Sequence, residues 1–460
     1  MKPTKRQNPS SILAHAPISR RSALGALAWM ATLPLCAGEQ GTGSVIVIGA
    51  GAAGLSAARE LQDAGIKVKV LEADSRIGGR ILTDQSLGIP IDLGAAWLHG
   101  AGGGNPLVEL FEKSGVGHFE SDSDSLALFR DEEEISDDLY EELDEAYEDW
   151  MDEAKSAKRK AKQSESMQRI LESLPAEAPA IRAGLRWMFA SEVEIELAAD
   201  ARELSLRNWD EDELFSGPEW FPRKGYGPMI SYLARGLDIS LGSSVKAISR
   251  TGKKVKVESS TGTLEADAVI VTVSLGVLQS GAIRFDPALS EEKRDALSRM
   301  RMGTMMKTVL EFPKSFWPDV HRMGSLDNDN PIMEFWNLKP LHNRPVLVGL
   351  SAGNRARELE QASDATVREI AMENLRSMFG KIPDSGKMLR TRWHSNPLTK
   401  GSYSMIAAGS SLDDHATMGE MDDDRIVLAG EGCNGQYPST VHGAVLSARK
   451  AARQILRALS

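Results

Sequence analysis

Two features of this 460-residue chain place residue types at spacings that chemistry requires. The first is Gly49-Ala50-Gly51-Ala52-Ala53-Gly54, with Glu72 standing 21 residues after Gly51. A glycine at the first position permits a tight turn, the second lets backbone approach a pyrophosphate, and the third lets a helix pack closely on a strand. A helix opening there aims free N–H groups at phosphates, and an acid at the Glu72 position accepts hydrogen bonds from ribose hydroxyls. That carboxylate repels a 2′-phosphate, so NADP is disfavoured while FAD and NAD stay open. The second feature is Lys307, inside the apolar run Met302 to Phe312. A buried lysine is costly unless hydrogen-bonded or deprotonated. Its position mid-strand therefore marks either function or an edge strand whose side chain reaches solvent.

The elements that must position these groups are legible around them. Ser44-Val45-Ile46-Val47-Ile48 reads as a buried parallel strand, Leu55 to Ala64 as a helix stopped by Gly65, and Val68-Lys69-Val70-Leu71 as the second strand of a βαβ unit. Directly downstream, Arg76-Ile77-Gly78-Gly79-Arg80 sets two arginines about a glycine pair, so that a guanidinium can reach a pyrophosphate; alone, the run also suits a solvated turn. Val255 to Glu258 and Thr263 to Ala266 read as a hairpin, and Asp267 to Val273 as a buried strand. Arg425 to Ala429 is another buried strand, ending in Gly430-Glu431-Gly432. Beyond Tyr437, the residues Val441, Val445, Ala448, Ala452, Ile455 and Leu459 recur at steps of three and four, one apolar face of a closing helix whose first turn suits Pro438. From Asn105 to Trp220 the chain reads helical, and its charge runs at Asp131 to Glu134, Glu141-Glu142 and Lys155 to Lys162 read as solvated helix faces rather than an acidic funnel.

In this position Glu72-Ala73-Asp74-Ser75-Arg76-Ile77-Gly78-Gly79-Arg80 resembles the second signature of the flavin-dependent amine oxidase superfamily, which selects FAD over NAD. Asp92-Leu93-Gly94-Ala95-Ala96-Trp97-Leu98-His99-Gly100, Ser274 to Gly281, Phe316-Trp317-Pro318, Arg392-Trp393-His394, Gly401-Ser402-Tyr403-Ser404 and Gly430-Glu431-Gly432 extend the resemblance to the polyamine oxidase and lysine-specific histone demethylase branch. It implies an α/β fold in which a discontinuous, Rossmann-like FAD domain (44–104, 221–300, 391–460) is interleaved with a mixed α+β substrate domain (105–220, helical, and 301–390). It also implies that FAD is held by Gly49, Gly51, Ala53, Gly54, Glu72, Arg76, Gly79, Arg80, Gly94, Ala95, Ala96, Trp97, Val245, Trp393, Gly430, Glu431, Thr440 and Val441. By the same resemblance Lys307 is catalytic, bridged through water to flavin N5, and His99, Tyr403 and Thr440 line the amine pocket. Thr440 stands where relatives carry a second tyrosine, leaving the slot half open for a long amine. His442 is expected to be a structural hydrogen-bonder.

The reaction implied is amine C–N oxidation: hydride passes to the flavin, water hydrolyses the imine to aldehyde and amine, and oxygen becomes hydrogen peroxide. Ser402 stands where monoamine oxidases carry the cysteine that bonds the flavin, so dissociable FAD is expected. An amino acid or aromatic monoamine oxidase and a non-catalytic flavoprotein scaffold are the alternatives. A demethylase role is disfavoured, since no inserted coiled-coil arm is visible.

Composition sets the outer limits. With 42% apolar and 26% charged residues the chain is ordinary globular material, and 54 basic against 65 acidic residues give a net charge of −11, which repels nucleic acid. The partners expected are a small cationic amine and oxygen. The only cysteines are Cys36 and Cys433, which leaves no disulfide framework and no cysteine zinc site; no metal is expected. Residues 1–37 resemble a twin-arginine export signal: Arg20-Arg21 precede a 15-residue apolar run, Ala23 to Ala37, too short to span a membrane comfortably. Its removal leaves 49 basic residues and a net charge of −16, with a periplasmic or secreted product and no membrane segment; the alternative is a cytoplasmic protein with a basic tail.

Overall fold

The computed structural model describes residues 43–460 except 176–177, 328 and 422–423. The expected export signal and Cys36 lie outside the described residues.

The βαβ unit forms as strand β1 (Ser44–Ile48), helix α1 (Ala52–Asp63) and strand β2 (Lys67–Leu71). These strands sit in a five-stranded, all-parallel sheet, in the order Ile426–Leu428, Ala268–Val271, β1, β2, Ile239–Ser240. Three distant stretches of chain therefore build one layer. β1 is apolar throughout because both its faces are covered: Val45 and Val47 pack with α1 and the terminal helix Val441–Leu459, while Ile46 and Ile48 pack with Ile248 and Val257 of a four-stranded hairpin sheet.

The second layer is a seven-stranded sheet, in the order Met388–Arg390, Met305–Glu311, Val346–Ala352, Glu334–Asn337, Arg322–Ser325, Leu126–Arg130, Glu133–Glu134. Lys307 lies opposite Leu350, on a strand paired along both sides, and is only 4% exposed. An edge-strand lysine reaching solvent is thereby excluded.

Three sequence expectations need correction. The stretch 105–220 is not uniformly helical: among its helices lie strands His118–Glu120, Leu126–Arg130 and Glu133–Glu134. Leu126-Ala127-Leu128-Phe129 is a short buried apolar run, for which periodicity does not separate helix from strand. Asp131 and Glu132, with φ of 53° and 64°, form the exposed tip of its hairpin instead of a helix face. The terminal helix begins at Val441, not at Pro438, because Thr440 caps it, its Oγ1 accepting from Gly443 N at 2.9 Å. Finally, the strand Trp220–Pro222 straddles the boundary expected at 220/221 and pairs with His118–Glu120. Among the described residues no helix is long and apolar enough to cross a membrane.

Candidate active site

The glycine turn divides into positions the fold needs and one it does not. Gly49 has φ of 103°, and a Cβ on Gly54 would stand 1.9 Å from Gly49 O, so both glycines are required by the protein itself. A Cβ on Gly51 would meet only Gly78 O, at an ordinary 3.8 Å. The space before Gly51 is thus left open at the start of α1, which has no side-chain cap and whose leading N–H groups stay free for an anion. Ala53 is buried in the first turn of that helix. Glu72, at the end of β2, accepts from Ala50 N at 2.6 Å and Asp74 N at 2.8 Å, and its remaining lone pairs suit ribose hydroxyls. Ser243 N donates to Glu72 O at 2.7 Å, bringing the chain that leads into buried Val245 alongside. These residues fit a dinucleotide with free ribose hydroxyls.

The two arginines divide their work. Arg76 turns its guanidinium onto the carbonyls of Ile77, Gly79 and Ile81, bracing the glycine loop rather than reaching outward. Gly79 Cα-side backbone comes close enough that its Cβ would lie 3.5 Å from Gly51 Cα. Arg80 pairs with Glu431 at 2.6 Å and donates to Ser402 O at 3.1 Å. Glu431 also accepts from the Ser404 hydroxyl, Ser404 N at 3.2 Å and Ser439 N at 3.1 Å. Burial opposes its ionisation, yet Arg80, the Ser404 hydroxyl and His415 hold the carboxyl below its usual range. One carboxylate thus ties together four chain segments. Gly430 beside it has φ of 139° and open space where a Cβ would stand.

Lys307 lies above the segment Asp92 to Trp97. Its Nζ donates to Asp92 O at 2.9 Å and Gly94 O at 2.7 Å, and lies 5.0 Å from the centre of the Trp97 ring. Gly94 is obligatory, since a Cβ there would lie 1.7 Å from Arg80 O; Ala95 N donates to the same carbonyl at 3.3 Å, and Ala96 follows half-buried. Trp97 packs on Phe221 and Trp336 at 5.3 and 5.2 Å, and buried Trp393 donates Nε1 to Leu93 O at 3.1 Å. Burial pulls the Lys307 ammonium down to about 8, partly offset by Asp92, and burial pushes the Asp92 carboxyl up to about 6.

The residues expected to line the amine pocket lie on other segments. The helix Pro179–Phe189 runs into a π-helical segment, Ala190–Ile195, whose C-terminal end carries the Ile195 and Glu196 carbonyls. The Tyr403 hydroxyl donates to Ile195 O at 3.2 Å and Glu196 O at 3.1 Å, and burial holds that phenol well above its usual value. His99 Nδ1 bonds Glu219 Oε1 at 2.6 Å. Burial alone would lower His99, but Glu219, with Glu196 and Asp212 behind it, raises it to about 9. Glu196 is open to solvent yet set deep among protein atoms, which raises it, like Asp212, to about 6. Thr440 is occupied as a helix cap, also donating to Tyr437 O at 3.0 Å. For His442, expected to be a structural hydrogen-bonder, Nε2 has no hydrogen-bond partner among the described residues, and its ring packs edge-on against Phe215 and Tyr437 at 5.2 and 5.3 Å. Ser402 bonds both main-chain atoms of Met305, N at 2.7 Å and O at 3.0 Å.

Sequence reasoning did not pick out Glu196, Asp212, Glu219 or the Asp92 side chain. The first three come from the turn after a π-helix and from loops, where no period reveals facing; Asp92 stood in plain view inside a motif, its charge beside Gly94 being the available signal.

Comparison with known proteins agrees with this geometry. Residues 52–456 match the family of flavin containing amine oxidoreductases. The chain is 35% identical over 435 residues to probable polyamine oxidase 4 of Arabidopsis thaliana, covering 90% of this chain and 87% of that one. It is 36% identical to polyamine oxidase 2 of the same plant, covering 87% and 85%. It is also 32% identical to human lysine-specific histone demethylase 2, covering 90% of this chain but 53% of the demethylase. Among solved structures, a putrescine oxidase double mutant redesigned for cofactor binding shares the fold with a TM-score of 0.73, at 19% identity, over 90% of this chain and 99% of that one. The flavin-type cradle, the buried lysine and these matches make the chain a member of the flavin-containing amine oxidase family.

Proposed function

We propose that the protein oxidises polyamines with non-covalently held FAD. The observation that carries the polyamine reading is the cluster of Glu196, Asp212 and Glu219 around His99, with Tyr403 hydrogen-bonded to the Glu196 carbonyl. A chain of spaced ammonium groups is recognised by such carboxylates, while an aromatic monoamine has no second charge to offer them. Identity to two plant polyamine oxidases over most of both chains supports the same choice.

The bound flavin would supply the two-electron acceptor for the amine carbon and pass those electrons to oxygen. The chain does the rest. Gly51, the α1 N-terminus and Glu72 would hold the dinucleotide end, Arg80 and Glu431 the middle, and Trp393, Ala95, Ala96 and Trp97 the part beside Lys307. With the flavin bound, Gly430, Val441 and the N–H groups and positive dipole end of the helix capped by Thr440 would stabilise negative charge on its ring system. Lys307 Nζ, in its neutral form, spends two N–H bonds on the Asp92 and Gly94 carbonyls and keeps a lone pair to hold a water or take a proton. The reacting amine must be neutral, and an alkyl ammonium ordinarily loses its proton near pH 10.4, so activity should rise from neutral to alkaline pH.

An oxygen-uptake screen over spermine, spermidine, their acetylated forms, benzylamine, phenylethylamine and amino acids tests the reading. Faster turnover of any monoamine or amino acid than of every polyamine overturns it. Because Ser402 is spent on Met305 and carries no thiol, acid denaturation should release all the flavin as free FAD. Export through the twin-arginine route belongs to the same proposal, since a protein that folds around FAD needs a pathway for folded cargo. Replacing Arg20 and Arg21 by lysine should retain it inside the cell.

A further inference from the structure

Lys307 Nζ donates to two main-chain carbonyls, and one of them belongs to a residue that carries its own charge. Asp92 presents two faces. Its carbonyl accepts from Lys307 Nζ at 2.9 Å, while its carboxylate accepts from the Thr83 hydroxyl and from Tyr226 N at 3.1 and 3.2 Å. The side chain is thereby fixed between the strand Thr83–Asp84 and the start of the helix Gly227–Ala234, without bonding the lysine directly. A fixed carboxylate on the very residue whose carbonyl accepts from Lys307 Nζ, with the lysine buried, acts on that ammonium through space.

The other neighbours offer no substitute for it. The Tyr226 hydroxyl donates to Trp97 O at 2.7 Å, and burial keeps it protonated. Beyond the Trp97 and Trp336 rings stand Arg322, Glu334 and Glu192, which pair with one another at 2.9 and 3.0 Å. Burial disfavours the Lys307 ammonium, and the Asp92 carboxylate opposes that effect.

We propose that Asp92 is a positioning residue for Lys307: its carbonyl fixes where the nitrogen stands, and its carboxylate, clamped by Thr83 and Tyr226, decides how tightly that nitrogen keeps its proton. The inference rests on the reading of Lys307 as the group facing the flavin, but the coupling is measurable without turnover.

The test is an NMR titration of the flavin-loaded protein labelled with 13C at lysine Cε, with Lys307→Met assigning the signal. Wild-type Lys307 should titrate near pH 8 with a smaller inflection near pH 6 as Asp92 loses its proton. Asp92→Asn, which preserves shape and can still accept from Thr83 and Tyr226, should move the lysine midpoint down by about one pH unit or more and erase the lower inflection. Thr83→Val, which loosens the clamp but keeps the charge, should lower thermal stability and leave the midpoint above that of Asp92→Asn. A wild-type curve with no lower inflection overturns the proposal even if Asp92→Asn does not fold, and so does an unmoved midpoint in a folded Asp92→Asn. Stopped-flow reduction and reoxidation of the same variants separates the two claims. Rates indifferent to Lys307→Met, alongside a coupled titration, would sink the role of Lys307 and leave the Asp92 coupling standing.

Discussion

The cradle proposed for the dinucleotide and the pocket proposed for the amine are built by different rules. The cradle is local: from Gly49 to Arg80 it occupies one βαβ unit and its following loop, and its geometry is enforced by steric impossibility, such as the 1.9 Å between a Gly54 Cβ and Gly49 O. The pocket is non-local: His99, Glu196, Asp212, Glu219 and Tyr403 come from separate segments, and its character is electrostatic, with groups raised to about 6 and about 9 by their surroundings. A site fixed by sterics tolerates almost no change and has little pH dependence. A site fixed by charge tolerates single changes and answers to pH and salt.

The sharpest way to break this contrast is Gly54→Ala, which places a methyl against backbone that has no room to move. Flavin-loaded protein should not be recovered, as judged by absorbance of the purified fraction; a yellow, folded variant would show that the cradle is not sterically fixed. Next in size is Lys307→Met, which preserves length and apolar packing and removes the nitrogen. Flavin should remain bound while reduction or reoxidation slows by about tenfold or more, the scale of one positioned proton-handling group. Unchanged rates in both half-reactions would make the lysine structural.

Glu219→Gln should act more mildly, raising KM for spermidine roughly three- to tenfold near pH 7 with kcat changed less, because one of three carboxylates is lost from a partly open cluster. It should also change the response of stability to pH. His99 is raised from 6.5 to about 9, so its ion pair contributes fully below pH 6.5 and is lost as pH rises toward 9. Lys307, lowered to about 8, has the opposite sign, gaining stability only above that pH, so the His99 slope is clearest between pH 6.5 and 8. Thermal melts of the wild type should fall across that window, and Glu219→Gln should flatten the fall. The smallest effect expected is salt: kcat/KM for polyamines should decline as ionic strength rises, through screening of the acidic surface, while that for a neutral-tailed amine declines less.

The sequence by itself determined the cradle, because glycine spacing, strand composition and the acid at Glu72 are consequences of neighbours within one supersecondary unit. It also singled out Lys307, since a charge inside an apolar strand is anomalous wherever that strand lies. Only the tertiary structure decided that this strand is interior, that Leu126–Arg130 completes its sheet within a stretch otherwise rich in helices, and that Thr440 is spent capping the terminal helix. It alone brought Glu196, Asp212 and Glu219 to His99, and showed Arg76 bracing a loop while Arg80 holds Glu431. The physical reason is the range of the forces involved. Steric and hydrogen-bonding demands of a turn are settled by residues adjacent in the chain, whereas the proton affinity of a deep-set carboxyl depends on whichever charges folding brings within a few ångströms, and sequence separation carries no record of that distance.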